Sequence, residues 1–387
     1  MQPFVFHNPT KIVFGEGTVP QIGAEARAWG RRALFLYGQS SIKRNGVYDL
    51  VVASLKAAGM EFVEFPGVKP NPVLSHAREG VALAKREKVD LVVAVGGGSV
   101  LDEAKTIALG AATDVDVWDF FCQKAQPQAS LPLATVLTLP ATGSEMNGGQ
   151  VITNEKTREK FGFATPWSSP KVSILDPSVT HTISAEQTAY AAADAMTHLL
   201  EGYFTHTDPW TPIQDRYVEG LVKTIMECAE RIQKDLRDAQ ARATLMWAAT
   251  LAWNGLALAG VGTAKLPNHM MEHPLSGIYD IPHGAGLSIV LPAWMAYTAR
   301  QNPQKIAQFA RNVFGVPATS AEEEAELAVA GLKTWFQKIG TPTSLSAVRI
   351  PAEDIERIAR DALTLGALWG ITEYSKESLI EIYRMCA

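Results

Sequence analysis

Cysteine is scarce in this chain. Three thiols in 387 residues, Cys122, Cys228 and Cys386, are too few and too scattered for a disulfide framework or a thiolate-held zinc site. A reducing, cytoplasmic setting is the expectation. Charge of one sign is also missing. Lys and Arg number 35 against 40 Asp and Glu, a formal charge of −5, and 19% of positions are charged. That balance excludes a disordered chain, a basic nucleic-acid surface and a polybasic membrane patch. Long apolar runs are absent as well. The most apolar stretch, Trp247 to Gly262, is broken by Thr250, Asn254 and glycines and falls short of the roughly 18 residues that a span needs. The opening residues, Met1 to His7, lack the basic and apolar regions of a signal peptide and read as mature protein. Gly and Pro, at 30 and 22, suggest no low-complexity segment. What remains is an ordinary globular composition, 47% hydrophobic, with length for roughly two domains.

The first half reads as a parallel α/β sheet. Short β-branched or aromatic runs at Ala33–Tyr37, Glu61–Phe65, Asp90–Val95 and Ala134–Leu139 alternate with stretches at Val47–Ala58 and Leu74–Glu87, whose apolar residues recur at helical spacing. Parallel neighbours require such crossover helices, so a doubly wound, mostly parallel sheet is expected. Before it, Phe4–Phe6 and Lys11–Phe14 flank Asn8-Pro9-Thr10, the signature of an opening hairpin. After about Ser184 the strand signal fades. Ala- and Leu-rich segments such as Ala185–Thr205, Ile213–Lys234 and Ala241–Leu258 carry helical periodicity to the end. The expected layout is an α/β domain over 1–183 and an all-α domain over 184–387, with a cleft between them where a small molecule would bind.

Val89–Val95 runs into Gly96-Gly97-Gly98-Ser99 and then into the helical stretch from Asp102 to Leu109. Glycine lets a backbone approach a phosphate closely, and the positive end of the following helix favours an anion. Ser99 and Asp102 have capping-box spacing. A tight, capped βα turn is the plainer reading, but the strand–turn–helix order supports a phosphate site. The run is not G-x-G-x-x-G, so a standard dinucleotide fingerprint is excluded. No carboxylate follows Tyr37 in Gly38-Gln39-Ser40-Ser41-Ile42-Lys43-Arg44 to hold a ribose 2′-hydroxyl. Small and hydroxyl side chains with a basic pair behind them suit a 2′-phosphate, which favours NADP over NAD. A solvated basic pair is the plainer reading of Lys43 and Arg44.

Eight histidines occur, three of them within fifteen residues. Asp194 and His198 stand four apart in an otherwise apolar helical segment, so their side chains share one face. His269 and His273 repeat that spacing, and His283 returns after a Pro-containing turn. A buried carboxylate is costly unless paired or coordinated, and one carboxylate with imidazoles suits Fe(II) or Zn(II). Singly, each histidine is more often packed or solvated than a ligand. Spacing does not say which of His273 and its neighbours would coordinate.

Taken in order, Gly96-Gly97-Gly98-Ser99 with Asp102, Leu139-Pro140-Ala141-Thr142-Gly143-Ser144-Glu145, Asp194-x3-His198 and His269-x3-His273-x9-His283 resemble the iron-containing (group III) alcohol dehydrogenases. The likeness runs from the opening segment to the late helices and is nearest to the NADPH-dependent butanol dehydrogenase and aldehyde reductase branch. The resemblance implies a dehydroquinate synthase-like fold and a metal, Fe2+ or Zn2+, on Asp194, His198, His269 and His283. It leaves His273 unliganded beside the reacting carbon. It places the pyrophosphate of NADP(H) on Gly97, Gly98 and Ser99, and the adenosine ribose with its 2′-phosphate at Gly38, Ser40 and Ser41. Asp102 falls on the nicotinamide side, Thr138, Thr142, Asn147 and Lys160 along the cofactor, and Asn71 in a loop near the adenine. Gln39 departs from the glycine that related NADP enzymes often carry. The implied reaction is hydride transfer between NADP(H) and short- to medium-chain aldehydes or primary alcohols, with the carbonyl oxygen on the metal. The implied partners are a small aldehyde or alcohol and a second copy of the chain, a homodimer, with no nucleic acid or membrane.

Two rivals are weaker. A lyase of the dehydroquinate synthase type would need Arg or Lys for a phosphorylated acidic substrate, and the segment from His269 to His283 has none, offering Met270, Met271, Leu275, Ile278 and Tyr279 instead. A non-catalytic binding protein would have no need of every ligand position together with the glycine turn. Trp118, Trp167 and Trp253 read as core or as pocket walls.

Overall fold

The computed structural model describes residues 1–387. Eight strands form, β1 (Lys11–Phe14), β2 (Arg32–Tyr37), β3 (Glu61–Pro66), β4 (Leu91–Gly97), β5 (Leu133–Leu139), β6 (Gly149–Asn154), β7 (Glu159–Ala164) and β8 (Val172–Leu175). Six make one sheet in the order β1-β8-β5-β4-β2-β3, every pair parallel, while β6 and β7 form an antiparallel hairpin. The four expected strands are present with ends moved by a residue or two, as are the crossover helices Val47–Ala57 and Leu74–Arg86. Period-two alternation distributes the apolar residues to both faces. Phe35, Tyr37, Val93, Val95 and Val136 enter one core with Val51 and Leu55. Leu34, Leu36, Val92, Ala94 and Leu137 enter the other with Leu101, Ala104 and Ile107. Helices therefore cover both faces, which is what a doubly wound sheet requires.

The chain winds outward in two directions from the adjacent pair β2 and β4, which have Tyr37 opposite Val95. Their carboxyl ends lie side by side at the point where strand order reverses, and open α/β sheets bind ligands at such a point.

Three readings are corrected. The opening hairpin does not form: β1 pairs in parallel with β8, and Phe4, Val5 and Phe6 are exposed outside any strand. Asn8 does not close a turn between strands. Its side-chain amide donates to Met146 O at 2.8 Å, and its Oδ1 accepts from Thr10 N at 3.1 Å. The capping box is also absent. The helix Gly98–Ala111 starts with Gly97 as its N-cap and no side-chain cap, which puts Ser99 inside the first turn. The segment read as one helix over Ala241–Leu258 runs only from Ala239 to Ala252, and a short 3-10 turn, Leu256–Leu258, follows Gly255 in the left-handed region at φ 93°.

Two compact units result. One, around the sheet, comprises residues 7–183 and 236–254; the other, all helical, comprises 1–6, 184–235 and 255–387. In this spatial division residues 1–6 go with the helical residues and the helix Ala239–Ala252 goes with the sheet. In the helical unit, Ser184 caps Ala185–Thr205 by accepting from Gln187 N at 3.1 Å. That helix packs on Pro212–Lys234 and His283–Ala299, and the latter packs on Pro267–Tyr279.

Candidate active site

In the sheet unit the switch point presents two turns. After β4, Gly96, Gly97 and Gly98 lead into the helix Gly98–Ala111. With no capping side chain and no acid in its first turn, that helix start fits an anionic pyrophosphate. The register between β4 and β5 shifts here, Gly96 facing Leu137 and Gly97 facing Leu139, so Thr138 is the extra residue of a bulge beside the turn. A Cβ on Gly98 would lie 2.5 Å from the Thr142 side chain, which puts Thr142 directly over the turn. The expected residues Gly97, Gly98, Ser99, Thr138 and Thr142 are thus brought together.

After β2, Gly38 to Ser41 form the second turn, with Gln39, Ser40 and Ser41 exposed. The basic pair behind it separates. Lys43 Nζ lies 5.2 Å from the Tyr37 ring centroid and 4.7 Å from that of Tyr48, while Arg44 donates to Ser40 Oγ. Arg44 is therefore the cation at the turn. Asn71 and Lys160 also meet, Lys160 Nζ donating to Asn71 Oδ1 at 3.0 Å. Pro72 O accepts from Thr153 N at 2.8 Å, which ties the Asn71 loop to the β6–β7 hairpin.

Asp102 and Asn147 are committed to the protein itself. Asp102 is buried and accepts from Ser144 Oγ at 2.7 Å and Val151 N at 3.0 Å. Burial pushes its carboxyl up despite Lys105 and these donors. Asn147 Nδ2 donates to Gly143 O at 2.7 Å. Sequence reasoning missed Lys105, a fully buried ammonium that donates to Asn147 O at 2.9 Å, Asn147 Oδ1 at 3.1 Å and Gly149 O at 2.7 Å. Burial lowers its pKa to about 8, with Asp102 and Glu145 opposing the shift. Of the tryptophans, Trp118 stacks on Phe161 with centroids 5.3 Å apart, Trp167 is exposed, and Trp253 O accepts from Asn147 Nδ2 at 3.3 Å.

The helical unit gathers the second set. Asp194 and His198 project from one face of Ala185–Thr205, whereas His269 and His283 stand in the first turns of Pro267–Tyr279 and His283–Ala299. Asp194 Oδ1 is 3.4 Å from His198 Nδ1, 3.6 Å from His269 Nε2 and 3.8 Å from His283 Nε2. These separations are too long for good hydrogen bonds. Asp194 Oδ1 and His269 Nε2 are buried without a hydrogen-bond partner, a costly state in protein alone and the expected one for atoms that converge on a cation. Asp194, His198 and His269 form a group that could hold a metal ion, and His283 turns its Nε2 toward the same carboxylate oxygen. His273 falls instead with Glu272 and His283, its ring 5.1 Å from that of Trp369.

The electrostatics favour positive charge here. Burial opposes ionisation of Asp194, but His198, His269 and His283 overcome it and hold the carboxyl far below its usual range. Burial lowers His198 to about 3, so its ring is neutral at physiological pH. His269, although buried, is raised to about 10 by Glu201 and Asp194 on either side. Glu201 and Glu272 are the site residues that sequence reasoning missed. Glu201 Oε2 accepts from His269 Nδ1, while its Oε1 accepts from Asn268 N and, at 3.0 Å, from His269 N. Glu272 Oε2 accepts from His283 Nδ1 and from Ser276 Oγ at 3.2 Å. The signal was present: Asp194, His198 and Glu201 follow i, i+4, i+7 spacing, and His269, Glu272 and His273 follow i, i+3, i+4.

Residues 9–177 match the family described as iron-containing alcohol dehydrogenase, and residues 188–386 match Fe-containing alcohol dehydrogenase family, C-terminal. A probable NADH-dependent butanol dehydrogenase 1 of Bacillus subtilis (strain 168) is 41% identical over 387 residues, 99% of each chain. An NADPH-dependent aldehyde reductase of Escherichia coli (strain K12) is 36% identical over 363 residues, 93% of this chain and 92% of the other. The crystal structure of NADH-dependent butanol dehydrogenase A from Thermotoga maritima matches with a TM-score of 0.97 and 48% identity over 100% of this chain and 99% of that one. The class is thus an oxidoreductase that uses a nicotinamide cofactor. The chain belongs to the iron-containing alcohol dehydrogenase family.

Proposed function

We propose that the chain interconverts short- to medium-chain aldehydes and primary alcohols, using NADP(H) in the sheet unit and Fe(II) or Zn(II) on Asp194, His198, His269 and His283 in the helical unit. The observation that carries this reading is the convergence of three imidazole nitrogens on the buried Asp194 Oδ1. When bound, the metal supplies a Lewis acid for the carbonyl oxygen and the nicotinamide supplies the hydride.

The chain's own residues bind and orient. The backbone N–H groups of Gly97, Gly98 and Ser99 hold the pyrophosphate, with Thr138 and Thr142 beside them, and Asp102, Asn147 and Lys105 keep the 142–149 loop in place. Asn71 and Lys160 support the adenine end. Gly38, Gln39, Ser40 and Ser41 face the adenosine ribose, with Arg44 placed to meet a 2′-phosphate. His273, left over from the ligand set and packed against Trp369, supplies the product-oxygen proton. The absence of Arg and Lys between His269 and His283 supports a weakly polar substrate.

NAD(H) is the second reading, because the Bacillus relative and the butanol dehydrogenases A and B of Clostridium acetobutylicum are named NADH-dependent. A cytoplasmic location accords with the three free thiols, and a homodimer with the exposed Phe4–Phe6 segment.

The test is oxidation of NADPH and NADH with butanal by the purified protein, before and after chelation and after return of Fe(II) or Zn(II). Chelator-sensitive oxidation, faster with NADPH, is expected; no oxidation of either cofactor at full metal occupancy would sink the reading. In the same assay His273→Ala should lower kcat at least tenfold with unchanged metal content. Loss of the metal from that variant would reassign His273 as a ligand.

A further inference from the structure

Three imidazoles surround the Asp194 carboxylate, and an imidazole can present either ring nitrogen to a cation. What selects the nitrogen is the hydrogen bond made by the other one. His269 and His283 sit on different helices, yet each has its Nδ1 against a fully buried glutamate, Glu201 and Glu272 respectively, and each turns its Nε2 toward the same oxygen, Asp194 Oδ1. The surroundings are built for these two carboxyl groups. Glu201 also accepts the backbone N–H groups of Asn268 and His269 at the start of Pro267–Tyr279, so one side chain fixes both the ring and the helix end that carries it. Glu272 lies where a Cβ on Gly286 would stand 2.5 Å from its Oε1. The glycine in His283-Gly-Ala-Gly286 is the space that the carboxylate fills.

We propose that Glu201 and Glu272 are positioning residues that lock His269 and His283 in the Nδ1–H form, and so set the affinity of the site for its divalent metal. This rests on the metal reading above. The arrangement also explains why Glu272, His273 and His283, although close together, do not make a second metal site: the His283 nitrogen that faces Glu272 carries a proton, not a free lone pair. A carboxylate acceptor keeps the ligand imidazole oriented and more basic, and loss of such a partner typically costs about 10–100-fold in metal affinity.

The experiment is competition for Zn(II) between a chromophoric chelator and purified wild-type, Glu201→Gln and Glu272→Gln protein. It is paired with 15N-detected NMR of the histidine ring nitrogens in the Zn(II)-saturated proteins and with the thermal midpoints of the metal-free ones. A Gln side chain keeps an acceptor oxygen and removes the charge, so the fold should survive. Expected are a loss of Zn(II) affinity of about 10–100-fold in each variant, and ring signals shifting from Nδ1–H toward a tautomer mixture for His269 in one variant and His283 in the other. Wild-type affinity in the folded variants would overturn the inference. So would weakened binding with unchanged tautomers and a matching loss of metal-free stability, since that is a merely structural role. Should Glu201→Gln fail to fold, Glu272→Gln carries the test alone. A wild-type chain that binds neither Zn(II) nor Fe(II) would overturn the metal reading itself, a result distinct from variants that bind as tightly as the wild type.

Discussion

Lys105 shows what a single buried charge does to this protein. Its ammonium donates to three oxygens of the 147–149 segment, yet burial brings its pKa from the ordinary 10.5 to about 8. Between pH 8 and 10.5 the unfolded chain holds a proton that the folded one has released, so this group's contribution to stability rises with pH through that window. Below it both states are protonated and the buried charge is a cost. Wild-type protein should therefore gain up to about 3 kcal/mol between pH 7.5 and 10.5 that Lys105→Met does not. Urea midpoints of both proteins across that range check this, and equal pH dependence would refute it. At this scale the sequence was partly readable. Asp194, His198, His269 and His283 stand out because a carboxylate and imidazoles at helical spacing in apolar surroundings need a reason. Lys105, Glu201 and Glu272 do not stand out, because charged residues in helices ordinarily face water, and only the packing reveals that these are buried.

At the scale of elements, β2, β4 and β5 were legible as near-continuous apolar runs and the edge strand β3 by its alternation, whereas the four-residue β8 (Val172–Leu175) was not singled out. The β6–β7 hairpin was not singled out: its strands alternate, but Gly149 and Gly162 interrupt the apolar pattern. The helix start after β4 was misread in a useful way. Ser99 and Asp102 have the spacing of a cap, but Gly97 begins the helix earlier and Asp102 turns to Ser144 and Val151. No side chain satisfies the N–H groups that a cap would have taken. Gly98→Ala places a methyl against Thr142 at 2.5 Å, so the turn or the loop over it must shift. The expected result is at least a tenfold rise in the Kd for NADPH or NADH, read by quenching of protein fluorescence, with Zn(II) affinity unchanged. Unaltered cofactor binding would mean that the turn does not hold the pyrophosphate.

For the whole molecule, the metal reading has a thermodynamic consequence. A ligand bound only by the folded form stabilises it by about 2.7 kcal/mol at a free concentration one hundred times its Kd, which for a unit of this size is roughly 5–10 °C in midpoint. Chelation should lower the melting temperature by that order and Zn(II) should restore it; a calorimetric trace indifferent to both would argue against a resident metal. Nothing in the residue pattern hints that the middle of the chain returns to the first unit. The helix Ala239–Ala252 lies among helices bound for the other unit, and its residues look the same as theirs. Yet Met246 enters the sheet's core, Thr250 donates to Glu145 at 2.5 Å, and Arg242 donates to Ile183 O at 3.0 Å. On the ribosome this order matters. The first 183 residues emerge with every strand of the sheet but without the helix that closes it, and they must wait, incompletely covered, for some seventy more residues to be synthesised, on the order of several seconds at translation speed. During that interval Glu145 lacks Thr250 and part of the core is open to water, which makes the nascent chain, rather than the finished enzyme, the form most exposed to chaperones and to aggregation.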